Sequence, residues 1–438
     1  MSELTDHPLR RPMITELHAR PFSPLHTPVD VIQISMMAPA DEAARRARST
    51  GLLSAFVGKP TEPEGPVFAA EVDGVRLKWE RHTEFESITL FIPGETDLFA
   101  TPTLDLLPPS LRALDFDDTI VATRVAVLPG TGPDSMIAQM INDLTPHFMR
   151  ESLAVSWVAG NEAMVMGDFH LDDEGFTRFA VLADAKIGQR RLGRVVQRVV
   201  EVEVYRAMAM LALPVARKLG RELTEISGSL TGIVGEIGQA ETVEKERDLL
   251  ARLTDCSARL TAASSSTGYR FSAAGAYEAL VNERIEALRE DRVAGRQTLR
   301  EFMTRRFNPA MRTCAATERR MERLSARAER AANLLRTRVD VSLQAQNQEV
   351  LASMNERAEL QLRLQETVEG FSVVAISYYA VSLVGYLLYP FSEPTGISTG
   401  TLKAIFALPV LIAVFFFVRG VKKRLTKASD RAEPRGED

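Results

Sequence analysis

The sequence predicts an α+β protein in three parts: an N-terminal mixed α/β sheet domain, a long helical, coiled-coil-like stalk, and a C-terminal two-helix transmembrane hairpin. Three observations predict it. Short apolar runs of strand length, punctuated by turn residues, fill residues 1–185. From about Gln189 to Gly370 the chain is rich in Leu, Ala, Glu and Arg, which favour helix. Two long, nearly uncharged runs then follow. The implied boundaries are 1–185, 186–370, 371–391, 392–401, 402–421 and 422–438.

In the first part, Val29–Met36 reads as a strand and Asp41 as the N-cap of a helix through Ala55. Val67–Val72, the pair Asp73-Gly74 and Val75–Thr83 make the strongest hairpin signal, because Asp-Gly suits a two-residue type I′ turn. Phe85–Ile92 continues the meander. Further strands are predicted at Ile120–Val127, Ser152–Val158, Ala163–His170 and Phe176–Leu182, with Asp134 capping a short helix. The interleaving predicts one sheet covered by helices on one face.

In the second part, a helix runs from Gln189 into the 230s, bent at Pro214. Gly228, Gly232, Gly235 and Gly238 form a small-residue stripe that suggests close helix contact. Ala262–Ser272 breaks the helical pattern and reads as a turn. Asn308-Pro309 reads as a helix start, with Asn as cap and Pro at the first position. Met321, Leu324, Ala328, Ala331 and Leu335 follow 3-4-3-4 spacing, continued by Val339, Leu343, Val350, Met354 and Ala358. This seam predicts a homo-oligomer. Ala310–Glu369 holds no Gly or Pro and would extend on the order of 90 Å as one helix. A band of Gln344, Gln346, Asn347, Gln348 and Asn355 suits register-setting or solvated positions.

Phe371–Phe391 carries no charge over about twenty residues, enough to cross a bilayer. Leu402–Val418 is interrupted only by Lys403, which can snorkel, and by Pro409. Arg419, Lys422, Lys423, Arg424 and Lys427 follow it, whereas Ser392–Thr401 holds only Glu393. The positive-inside rule then predicts both termini on the cytoplasmic side of the membrane, with the lipid bilayer as partner. No apolar stretch follows the basic residues near the N-terminus, so no secretory leader is expected.

Composition excludes several classes. Lys+Arg at 53 against Asp+Glu at 58 gives a net charge of -5, which argues against a nucleic-acid partner. Two cysteines exclude a disulfide scaffold. No HExxH, CxxC, GxSxG or GxxxxGK[ST] occurs, so no catalytic residue and no cofactor is expected. All six histidines and both tryptophans precede residue 171, which places any polar chemistry in the first part. Within Glu16-Leu17-His18-Ala19-Arg20-Pro21-Phe22, Glu16, His18 and Arg20 alternate. On an extended segment they would share one side, suited either to an anion or proton site or to a structural ion-pair network.

That string, Pro28–Val31, Asn333–Asp340, Gln346–Asn355 and the C-terminal organisation resemble a bacterial family of membrane-anchored proteins known as a domain of unknown function. The resemblance covers almost the whole chain and implies no reaction. The architecture also resembles the CorA-type magnesium channels, which implies a pentamer with the first span lining a pore. In that reading Ser372, Ser377 and Ser382 are the candidate pore-lining residues and a divalent cation is the cargo. The Gly-Met-Asn signature of those channels is replaced by Gly385-Tyr386-Leu387-Leu388-Tyr389-Pro390. The sequence alone therefore favours a non-enzymatic, membrane-anchored scaffold or sensor, with a CorA-like channel as the alternative.

Overall fold

The computed structural model describes residues 6–11, 13–14, 22–94, 99–130, 134–240, 242–388 and 399–429. It divides into two compact units. The first comprises Met1–Glu241 with Lys245–Leu335, the second Thr242–Glu244 with Arg336–Asp438.

The first unit is built on a nine-stranded sheet in the order β2-β3-β4-β1-β5-β8-β7-β6-β9. The strands are β1 (Val29–Met37), β2 (Val67–Val72), β3 (Val75–Arg81), β4 (Phe85–Pro93), β5 (Thr119–Pro129), β6 (Ala154–Val158), β7 (Ala163–Leu171), β8 (Thr177–Ala183) and β9 (Asp291–Arg292). All eight strands expected from the sequence are present. The β2–β3 turn has Asp73 at φ 52° and Gly74 at φ 77°, the two positive angles a type I′ turn requires. Pairing is antiparallel except between β5 and β8.

Helices cover both faces of this sheet, rather than the single face expected. The reason is the strand alternation, since both residue parities carry buried side chains. On one face Ile32, Ile34, Met36, Leu77, Trp79, Ile88 and Leu90 pack against Leu52, Leu53 and Phe56 of α1 (Glu42–Val57). Leu107, between the short turns α2 (Thr103–Leu106) and α3 (Pro109–Arg112), and Leu111 of α3 join them. Asp41 caps α1 by accepting from the Ala44 N–H. Further along, α4 (Asp134–Leu144) contributes Ile141 and Leu144 to a cluster with Met164, Met166, Ala180 and Leu182. On the opposite face lies α5 (Gln189–Met210), whose Val195, Val196, Val199 and Val200 meet Val31, Val125, Val127 and Val181.

The helical part departs from expectation in four places. The helix from Gln189 stops at Met210 and resumes as α6 (Ala212–Ile237), with Pro214 in its first turn, where a missing N–H costs nothing. Ala262–Ser272 is not a turn, because α7 runs unbroken over Val243–Leu288. Asn308 begins α9 (Asn308–Leu388) after α8 (Leu299–Arg306), but its Oδ1 accepts no hydrogen bond, so its side chain does not cap. The glycine stripe on α6 makes no close contact, since a Cβ at Gly228, Gly232, Gly235 or Gly238 would have nothing within 4 Å.

The apolar stripe from Met321 to Leu335 is buried within the chain itself. On α6, Ala212, Ala216, Leu219, Leu223, Ile226, Leu230, Ile233 and Ile237 alternate steps of four and three, and all are buried. They share one core with Leu249, Leu253, Cys256 and Leu260 of α7 and with Met321, Leu324, Ala328, Ala331 and Leu335 of α9. Three helices of one chain thus share a single apolar core. Each large aliphatic side chain so buried contributes about 1.5–3 kcal/mol. Arg252 of α7 pairs with Glu236 of α6 at 2.9 Å, and Arg320 of α9 donates to Thr224 Oγ1 of α6 at 3.2 Å.

In the second unit, the remainder of α9 and α10 (Thr399–Ser429) supply two helices long and apolar enough to cross a membrane. Their apolar side chains face outward: Phe371 is 73% exposed, Tyr386 76% and Phe417 72%. Lys403 of α10 lies against α9 at Gly385, where an added Cβ would meet its Cε at 2.2 Å. The ammonium sits 5.7 Å from the Tyr386 ring centroid. Gln344, Gln346, Asn347, Gln348 and Asn355 are all exposed.

Candidate functional site

On β1, β3 and β4 the residues of one parity are mostly polar, although they face α5 rather than solvent. The register sets Gln33 opposite Thr89, Ser35 opposite Ser87, Lys78 opposite Thr89 and Glu80 opposite Ser87. Gln33, Lys78, Ser87 and Thr89 are buried, and so is Ser35. Opposite them α5 presents Val196, Val200 and Val204, a stripe spaced by four. Between polar floor and apolar roof lies a cleft of about 600 Å³ of empty space, its solvent-facing mouth included.

The charges lining the cleft are matched. Lys78 Nζ lies 2.9 Å from Glu80 Oε1, two residues on along the same strand face. Glu201 of α5 pairs with Arg284 of α7 and accepts from Gln197 Nε2 at 2.7 Å. The remaining polarity is not fully matched. Gln33 Oε1 and Ser35 Oγ are buried and have no hydrogen-bond partner. An orphaned buried acceptor costs about 1–3 kcal/mol.

Aromatic groups border one end. His82 stacks on Phe85 with centroids 4.1 Å apart, and Tyr205 stacks on Tyr277 at 5.9 Å. Burial, reinforced by the neighbouring Glu84 carboxylate, pushes the Tyr277 phenol upward, so it stays protonated. Glu84 in turn accepts two hydrogen bonds from Arg270, at 2.8 and 3.0 Å, which ties α7 to the β3–β4 turn.

At the other end the backbone around Ser23 crosses α5 at Gly193. A Cβ on Gly193 would meet Ser23 O at 1.9 Å, so only glycine permits the crossing. Leu25 N–H donates to Gln189 O at 3.1 Å, and Arg194 lies over the Phe22 ring at 5.5 Å. Glu16, His18 and Arg20 lie outside the described residues. The first described residues after them, Phe22 and Ser23, belong to this crossing, and Ser23 lines the cleft.

The three serines of the first apolar span do not form a line. A spacing of five residues turns each by about 140° from the last on a 3.6-residue helix. Ser372 is exposed and donates to Val368 O at 2.9 Å, Ser377 is 3% exposed with an unpartnered Oγ, and Ser382 is half-buried. Among the described residues no group of three or more His, Cys, Asp or Glu side chains could hold a metal ion.

The sequence reading missed the cleft residues. The available signal was Gln33 and Ser35 inside VDVIQISMM, two polar positions on one parity of a strand whose only other polar residue is Asp30. The profile of a family described as "Protein of unknown function (DUF3422)" matches residues 5–425. No curated protein and no solved structure matches the chain.

Proposed function

The chain belongs to the DUF3422 family, whose description assigns no reaction, and from that premise we propose that it is a membrane-anchored, non-enzymatic scaffold or sensor. Two spans hold its sheet-and-helix unit at the cytoplasmic surface of the inner membrane. The observation that carries this reading is the outward apolar sheath of the second unit. Val374, Tyr378, Tyr379, Leu383, Leu387, Leu408 and Phe416 are all exposed on helices of spanning length. Water would penalise so large an apolar surface, and lipid would not. The basic run after the second span supports the cytoplasmic placement of the tail.

In this reading copies associate through the segment after Val339, where the seam residues are no longer buried by the chain itself. Val350, Met354 and Leu364 are exposed there. The test is fractionation. The full chain is expected to remain in the membrane pellet through high salt and alkaline carbonate. A chain lacking 371–438 is expected in the soluble fraction with a single cooperative melt. Release of the full chain by salt alone, or an insoluble truncated chain, would overturn the reading.

A further inference from the structure

We infer that the outer edge of β2 is a contact between two copies of this chain, paired as antiparallel strands about a twofold axis through Ala69. The edge lies wholly in the first unit, so the inference depends neither on the membrane anchor nor on the segment after Val339.

The two ends of the sheet differ. At one end β9 is only two residues long. At the other, β2 offers six residues, VFAAEV, paired in unbroken register with β3. Native proteins blunt such an edge with lysine, proline, a bulge or a covering element. β2 contains no lysine, no proline and no bulge, and its Ala69 and Glu71 are exposed.

Hydrogen bonding shows which groups are open. Asp73-Gly74 is a two-residue turn, so Val72 exchanges backbone bonds with Val75, Ala70 with Leu77 and Phe68 with Trp79. The Arg81 N–H, which donates to Pro66 O at 2.7 Å, keeps the same parity. The N–H and C=O groups of Val67, Ala69 and Glu71 therefore point away from the sheet. None of them has a hydrogen-bond partner among the described residues.

This edge is complementary to itself. A twofold axis through Ala69 sets Ala69 opposite its own copy and Val67 opposite Glu71 of the second copy, and every open N–H and C=O finds a partner. Phe68 then faces Ala70 of the second copy, a large side chain against a small one. An axis through Glu71 would set two carboxylates opposite each other, and one through Ala70 would set Val67 against Asp73, which lies in the turn at φ 52°. Phe68, Ala70 and Val72 pack on the core beneath α1, so the pairing carries that apolar face from one sheet into the next. On the other face Glu71 lies beside Arg76 of β3, and Lys78 is held by Glu80 at 2.9 Å, so no like charges meet at the junction. A second copy supplies this match by symmetry alone, as an isologous contact does.

The experiment is thiol cross-linking of the full-length protein, purified in detergent, with a short bifunctional methanethiosulfonate. Cys256 and Cys314 are buried, and the unaltered chain sets the background. Ala69→Cys is expected to link most of the protein into a species of two chains, because directly opposed residues of this kind have Cα atoms about 5.5 Å apart. Glu71→Cys is expected to stay at background, because the two Glu71 positions lie about 14 Å apart in this register. The double variant Val67→Cys/Glu71→Cys is expected to link again. Adding Ala69→Pro to the double variant removes an outward N–H that the hairpin does not use, and is expected to abolish the link with the melting temperature unchanged. Adding Ala69→Lys instead sets two ammonium groups opposite each other at an exposed position, and is expected to abolish the link without touching the fold. Ala69→Cys linking no more than Glu71→Cys, a linked species of any mass other than two chains, or a link in the double variant that survives Ala69→Lys would overturn the inference.

Discussion

Glu86 faces α1 on the sheet side away from the cleft, and its carboxylate is 1% exposed. Burial pushes its pKa above the ordinary 4.5, against the pull of Arg48 and Arg45, each 3.8 Å away, and of the Ser49 hydroxyl. A carboxyl raised in the folded state contributes stability below its unfolded pKa, and that contribution disappears as pH rises through the folded value. The stability of Glu86→Gln is therefore expected to fall less than that of the parent between pH 4.5 and about pH 7, as read from urea midpoints. Asp30 and Arg124 test a second buried pair. Arg124 is fully buried, donates to Asp30 at 3.0 and 3.3 Å and reaches Thr101 O at 2.8 Å. Arg124→Met strips Asp30 of its guanidinium and is expected to cost about 3–5 kcal/mol. Adding Asp30→Leu to it should restore most of that loss, and urea unfolding of the single and double variants measures both.

Two kinds of helical glycine separate at the level of elements. Gly193→Ala drives a methyl group into Ser23 O, and its expected cost is about 1–3 kcal/mol, larger than the roughly 1 kcal/mol that alanine gains in a helix. Gly228→Ala and Gly232→Ala meet nothing and are expected to stabilise by about 0.5–1 kcal/mol each. Thermal melts of the three variants should show opposite signs. The same contrast explains what could be read from the sequence. Strands and the β2–β3 turn were legible because alternation and Asp-Gly are local signals. The span Ala262–Ser272 was not, because its Ser, Thr and Gly residues have weak helix propensity. Ala263, Thr267 and Phe271 are buried in or beside the helical core, and Thr267 Oγ1 donates back to Ala263 O at 2.8 Å. Tertiary packing overrode the local preference. Gln33, Lys78 and Glu80 were illegible as a site for a related reason. Alternation marks a polar face without saying whether water or a helix covers it.

For the whole molecule, topology is the property most open to measurement. Cys256 and Cys314 are 3% and 4% exposed, and burial pushes both thiols upward, so native labelling should be slow. A cysteine placed at Gly400, exposed near the start of α10, is expected to react with an impermeant maleimide in intact cells. One placed at the exposed Glu64 should react only after permeabilisation. The opposite pattern would invert the orientation read from the basic residues after the second span. The heptad seam shows how far sequence alone reaches at this scale. It identified the stripe through Leu335 but not its partner, because apolar spacing is the same whether the facing helix belongs to the same chain or to another.

The sheet's last strand, β9, is only two residues long, and it follows the entire α5–α7 stretch. It pairs Arg292 with Ser156 and Asp291 with Trp157, and Val155 N–H donates to Gln297 O at 2.9 Å. During synthesis at about 5–20 residues per second, β6 therefore leaves the ribosome on the order of ten seconds before the segment that covers its edge. For that interval the nascent chain carries an open strand edge, a template for pairing with other chains. Ribosomes stalled between the codons for β8 and β9 should release the most aggregation-prone fragments of this protein. Those that have passed β9 should release fragments whose β6 edge is already paired.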